Sequence, residues 1–174
     1  MWYVVQVMGG REQGTLDRIG ALVDRASYDE CFVPKREARK RVGGEWRTRR
    51  EALFPGYVFV DTKTPERFRA ELSKVPAMTK LLSGEDCAGE RRFVPLSDDE
   101  KTLISAFIGD DDFVMRMSEG IIEGDTVRVL RGPLMGYEAL VRKVDRHRRA
   151  AYLGIEILGR AVTVKVGLEI VEKR

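Results

Sequence analysis

Long apolar runs are missing from this chain of 174 residues, and so are most of the residue types that perform chemistry. No stretch approaches the roughly 20 consecutive apolar residues needed to span a bilayer, so no membrane segment is expected. Histidine occurs once, as His147, and cysteine twice, as Cys31 and Cys87. Two isolated cysteines make neither a disulfide framework nor a zinc site, and a reducing cytoplasm is the expected setting. A catalytic histidine needs an orienting partner and a pocket; His147 instead stands in an arginine-rich run, where a contact residue or a solvated side chain is expected. No nucleophile constellation or metal-ligand cluster is present, so no enzyme, cofactor or metal is predicted. The N-terminus lacks an early lysine or arginine and a small-residue cleavage site, and reads as a first strand rather than a signal peptide.

What is present is charge, unevenly spread. The chain is 34% charged and 43% hydrophobic, with a net charge of only +3. That is an ordinary soluble composition. From Ile121 onward, however, there are 11 basic residues against 7 acidic, and Lys35 to Arg50 holds eight basic residues against two acidic. Two basic segments on an otherwise balanced chain point to local contact with a polyanion.

The periodicity of the first half predicts an α+β domain. Trp2 to Val7 is a β-rich apolar run. Leu16, Ile19, Val23 and Ala26 recur at helical spacing and predict an amphipathic helix of about four turns. A strand around Cys31-Phe32-Val33 stops at Pro34. Lys35 to Arg50, with Gly43-Gly44 at its centre, reads as an exposed hairpin or loop. Leu53 to Val60 is the next strand, with Tyr57 and Phe59 on one face and Val58 and Val60 on the other. Tyr57 and Phe59 are either core residues or an open face for an apolar partner. Thr64-Pro65-Glu66 is a helix start, with Phe68, Leu72 and Val75 as its stripe. Thr79 to Leu82 is a further strand. Ser97-Asp98-Asp99-Glu100 is a capping box opening a helix that ends at Gly109. Helices packed against an antiparallel sheet follow from this order.

Residues 110–120, beginning Asp110-Asp111-Asp112, read as a linker between a domain at 1–109 and a second at 121–174. The second shows alternating strands at Thr126 to Leu130, Ala139 to Val144, Tyr152 to Leu158, Val162 to Val166 and Glu169 to Val171. Five short strands in so little chain predict a small closed β-barrel. Gly132-Pro133 and Gly159-Arg160 mark turns. Asp145-Arg146-His147-Arg148-Arg149 lies between two strands, with Arg142 and Lys143 nearby. The run is either a solvated loop or a nucleic-acid contact, since arginine suits both phosphate and guanine. Gly9-Gly10 lacks the flanking residues of a phosphate loop or dinucleotide fingerprint and reads as a tight turn.

In this order and spacing, Trp2-Tyr3-Val4-Val5-Gln6, Phe54-Pro55-Gly56-Tyr57-Val58, Gly124-Asp125-Thr126-Val127-Arg128-Val129 with Gly132-Pro133, and Leu158-Gly159-Arg160-Ala161 resemble the NusG/Spt5 family of transcription elongation factors. The likeness covers nearly the whole chain. Gly132-Pro133-Leu134, Asp145 to Arg149 and Gly167-Leu168-Glu169-Ile170-Val171 resemble the specialised LoaP group. A family glycine is replaced by Ala139, so a positive φ is not expected there. The resemblance implies a NusG-type N-terminal domain that binds the clamp of RNA polymerase, with Phe54, Tyr57 and Phe59 at or beside the contact surface. It implies a KOW domain that recruits a second partner. In LoaP-like proteins that partner is an RNA hairpin in a nascent leader, giving processive antitermination; Arg142, Lys143, Arg146, His147, Arg148 and Arg149 would grip it. In general NusG factors the partner is a protein. Arg39, Lys40, Arg41, Arg47, Arg49 and Arg50 would lie near upstream DNA. A monomer with no membrane partner is expected.

Overall fold

The computed structural model describes residues 1–85 and 88–174; Cys87 lies outside them. In chain order the elements are β1 (Trp2–Val7), α1 (Glu12–Leu22), β2 (Glu30–Phe32), β3 (Lys35–Val42), β4 (Glu45–Ala52), β5 (Tyr57–Asp61), α2 (Pro65–Leu72), β6 (Thr79–Leu81), β7 (Ser83–Glu85), β8 (Arg91–Phe93) and α3 (Asp98–Ile108). Then come β9 (Val114–Met115), β10 (Ser118–Glu123), β11 (Thr126–Arg131), β12 (Val141–Asp145), β13 (Ala150–Ile157) and β14 (Arg160–Lys173). No helix among the described residues is long and apolar enough to cross a membrane. The chain is α+β, as expected from the sequence.

Two compact units divide the chain, and neither is continuous in sequence. The first comprises Met1–Val33 with Phe54–Lys101; the second comprises Pro34–Leu53 with Thr102–Arg174. The hairpin of β3 and β4 therefore groups with the C-terminal strands and not with the sheet whose sequence surrounds it.

In the first unit the antiparallel sheet runs β2-β5-β1-β6. Alternation puts Tyr3, Val5, Val7, Val58 and Val60 on one face, where they form a core with Ile19 and Val23 and with Phe68, Leu72 and Val75 of the α2 region. α1 begins earlier and ends earlier than its apolar spacing predicts. It stops at Leu22 because Val23 is extended and the Asp24 side chain accepts the Ala26 amide, closing a separate 3-10 turn. α2 has Pro65 at its first position, but Thr64 makes no side-chain cap; its hydroxyl faces the Ser27 carbonyl at 3.4 Å instead. At α3 the capping box forms as expected: the Ser97 amide donates to Glu100 (2.9 Å) and the Glu100 amide to Ser97 Oγ (3.2 Å).

Buried Glu12 holds the turn that precedes β5. Its Oε1 accepts the amides of Gly56 at 2.7 Å and Gly10 at 3.1 Å. Burial pushes its carboxyl up, but the amide bonds outweigh burial and hold it below the ordinary glutamate range. Glu12→Ala leaves two amides without an acceptor and is expected to cost about 1–3 kcal/mol at neutral pH. The depressed group stabilises the fold above about pH 4.3, its unfolded value, and loses that contribution as pH falls through the folded value. The gap between wild-type and Glu12→Ala urea midpoints should therefore narrow on acidification; a constant gap contradicts this role.

In the second unit, β4-β3-β9 form one sheet and β11-β10-β14-β13-β12 another. Residues 110–120, read as a linker, contain β9 and the start of β10. Asp112 organises them. It accepts the Val114 amide (3.2 Å) and pairs with Arg116 (2.6 Å) and Arg50 (3.4 Å), while Lys35 N–H donates to Phe113 O (2.9 Å). The five strands are also apportioned differently from expectation. β10 is one of them, and the two expected late strands are one long β14. This strand is antiparallel to β13 and then, past Gly167, parallel to β10. At Gly167 a Cβ would sit 2.8 Å from the Glu37 carbonyl oxygen, so only glycine lets the strand pass so close to β3. Among the described residues no ladder joins β11 to β12. The 132–140 connection lies there instead, and Glu138 takes the Val129 amide at 3.3 Å. Ala139 lies in its 3-10 turn and is not at positive φ.

Candidate nucleic-acid interface

The basic run is the turn joining β12 to β13, and local polar chemistry shapes it. Asp145 Oδ1 accepts the Arg148 amide at 3.0 Å, and Arg149 N–H donates to Arg146 O at 3.3 Å. The Arg148 amide, then the surrounding cations, hold the Asp145 carboxyl below its ordinary range. Arg146, His147 and Arg148 are exposed at the tip.

Arg149 behaves differently. It has φ 51, a left-handed conformation uncommon outside glycine. Its carbonyl accepts the Leu168 amide at 3.0 Å, which anchors the turn to β14. Its guanidinium lies 4.0 Å from the centroid of the Trp46 ring and 3.6 Å from Glu169. The resemblance implies that Arg149 grips RNA with its neighbours; the structure also engages it with Trp46 of the β3–β4 hairpin. Arg142 is also laid down on its sheet, donating to Ala139 O at 2.9 Å. Lys143 stands 5.9 Å from the centroid of the Tyr152 ring.

The hairpin supplies a second set of cations. Glu37↔Arg50, Arg39↔Thr48 and Arg41↔Trp46 face one another across the ladder. Arg36 is buried and pairs with Glu51, which also pairs with Lys40. Arg41, Arg47 and Arg49 are exposed, while Arg50 is tied to Asp112. Arg39 donates to Thr48 Oγ1 at 3.0 Å, yet its Nε is buried with no hydrogen-bond partner among the described residues. Between hairpin and basic turn lies a cavity of about 530 Å³. The structure thus joins two basic segments that were read separately. Reading by segment missed Trp46, Lys165 and Glu169. A tryptophan within an arginine-rich hairpin was the available signal for the first; nothing marked the other two.

The resemblance puts three aromatic residues of the first unit, Phe54, Tyr57 and Phe59, at or beside a polymerase-facing surface. Phe54 and Phe59 are buried (2% and 0% exposed). Their rings are 5.4 Å apart, and Phe59 stacks on Phe32 at 5.7 Å. Tyr57 shares the Phe59 face, as alternation predicts, and is partly accessible. Of the three, it alone offers surface to a partner.

The chain thus has one α+β unit and one β-rich unit that carries a basic groove. Residues 1–105 match the family model described as transcription termination factor NusG, and residues 123–166 match the KOW motif. The chain belongs to the NusG family, whose members are non-enzymatic transcription factors. It is 28% identical over 179 residues to the transcription termination/antitermination protein NusG of Yersinia pestis, covering 99% of this chain and 95% of the relative. It is 22% identical to that of Borreliella burgdorferi, covering 99% and 97%. The solved structure of Thermotoga maritima NusG shares the fold, with a TM-score of 0.53 at 22% identity over 95% of this chain and 92% of that one.

Proposed function

We propose that this protein is a processive antitermination factor of the LoaP-like kind. It binds RNA polymerase through its N-terminal domain and an RNA hairpin in a nascent leader through its KOW domain. The observation that carries the reading is the β12–β13 turn, where Arg146, His147 and Arg148 are exposed together at one tip. Such a tip suits phosphate contacts and arginine–guanine readout. A regular A-form major groove is too narrow for side chains, so sequence readout requires a bulge, loop or distorted helix. Tyr57 belongs to the polymerase-facing surface, with Phe54 and Phe59 as its support. Arg47 and Arg49 of the hairpin stand towards upstream DNA. Such a factor works in the bacterial cytoplasm.

A single-round transcription assay tests this. The template carries an operon leader that folds an RNA hairpin, followed by an intrinsic terminator. Readthrough should rise with the protein only when the leader is present. Equal readthrough without the leader contradicts the reading.

A second reading is a general NusG factor whose KOW domain binds a protein. Leu130, Met135 and Val171 are exposed apolar residues of the second unit and favour it. Their contact would respond little to moderate salt, whereas phosphate contacts weaken steeply.

A further inference from the structure

We propose that the groove between the β3–β4 hairpin and the β12–β13 turn binds an unpaired RNA strand, with Trp46 as its stacking platform. The proposal rests on the reading of the protein as an RNA-binding factor and extends the site beyond the KOW domain.

Charge is the first argument. Of the eleven residues lining the cavity, seven are Arg or Lys and none is acidic. Glu51 pairs with two of the seven, Glu169 with a third and Asp145, at 3.9 Å, with a fourth, which leaves Arg39, Arg41 and Lys165 without a carboxylate partner among the described residues. The remaining excess calls for an anionic occupant. Hydrogen bonding points the same way. The buried Arg39 Nε has no partner among the described residues, and buried donors are almost always satisfied. A phosphate oxygen in the groove would supply the acceptor. The cavity, about 530 Å³, falls within the usual size of a ligand site.

Trp46 decides the form of the strand. It is half-buried at the groove, beneath the Arg149 guanidinium. Indole and guanidinium surfaces are what single-strand binders offer to successive bases. A duplex keeps its base faces within its own stack, so only an unpaired base can use this surface.

The test titrates the 174-residue chain against a fluorescein-labelled 12-nucleotide uridine oligomer, a 12-base-pair RNA duplex and a 12-nucleotide thymidine oligomer. Trp46→Ala should weaken uridine binding by about 5-fold or more, while Trp46→Phe retains most of it and duplex affinity stays within about twofold. Arg149→Gly removes the guanidinium at a φ that glycine adopts freely and should also weaken uridine binding. If Trp46→Ala lowers the melting temperature, Arg41→Gln decides, with an expected fall in the salt slope of about 0.7. Unchanged uridine affinity in these variants overturns the proposal. So does equal weakening for duplex and oligomer, or a tenfold preference for thymidine. The underlying reading fails separately, if leader RNA is still bound normally after Arg146→Ala and Arg148→Ala.

Discussion

Replacing Arg146 and Arg148 together with alanine should weaken leader-RNA binding by roughly 30-fold or more, since removing each arginine–guanine pairing costs about 1–3 kcal/mol. The two positions are chosen for their surroundings. Both are exposed. Arg148 has only a long 3.9 Å pairing with Asp145, and Arg146 has no ion pair among the described residues. The turn itself is held by the Asp145 carboxylate and backbone amides, which the substitutions leave in place. Stability should therefore change by less than about 0.5 kcal/mol, and weaker binding reports the missing guanidinium groups rather than a disturbed fold. Polymerase binding should be unaffected. Arg149 is left out because its alanine variant would also break the Trp46 stack.

Gly132→Ala should strongly destabilise the second unit. Gly132 has φ +104, and an added Cβ would lie 2.6 Å from both Cα and Oγ of Ser118 and 2.9 Å from the Met117 carbonyl oxygen. Ser118 has no room to yield. It is fully buried, and its Oγ accepts the amide of equally buried Leu134 at 3.1 Å. Backbone strain and overpacking together should cost roughly 2–5 kcal/mol. Gly159→Ala is the control: its φ is +73, but nothing lies within 4 Å of the added Cβ. It should cost only the strain of a left-handed alanine, about 1–2 kcal/mol. Chemical denaturation of both variants checks the ordering, and equal destabilisation would contradict the steric account.

Local rules made much of this fold legible. The Ser97–Glu100 box, the Gly43-Gly44 hairpin and the alternation of β5 all depend on residues close in sequence, and all formed. What the sequence left open shares one cause: it depended on partners remote in sequence. Asp110 to Asp112 has the composition of a linker, but Asp112 becomes a structural residue once Arg50 and Arg116 reach it. Gly167 looked like a break between strands, and its purpose is the close passage of β3. Alternation left Phe59 either a core residue or part of an open face, and its ring contacts with Phe32 and Phe54 put it in the core. At the site, the two basic segments were visible in composition. That they share one groove was not, because the Arg149–Trp46 contact joins residues of two different sequence domains.

Whether the exposed arginines of the β12–β13 turn hold RNA is decided by a binding titration of leader RNA with the wild-type protein and the Arg146→Ala, Arg148→Ala double variant across a salt series. Log affinity should fall linearly with log salt for the wild type. The double variant should bind far more weakly and with a slope shallower by about 0.7–0.9 for each phosphate no longer neutralised. Equal affinity and equal slope for the two proteins would contradict it.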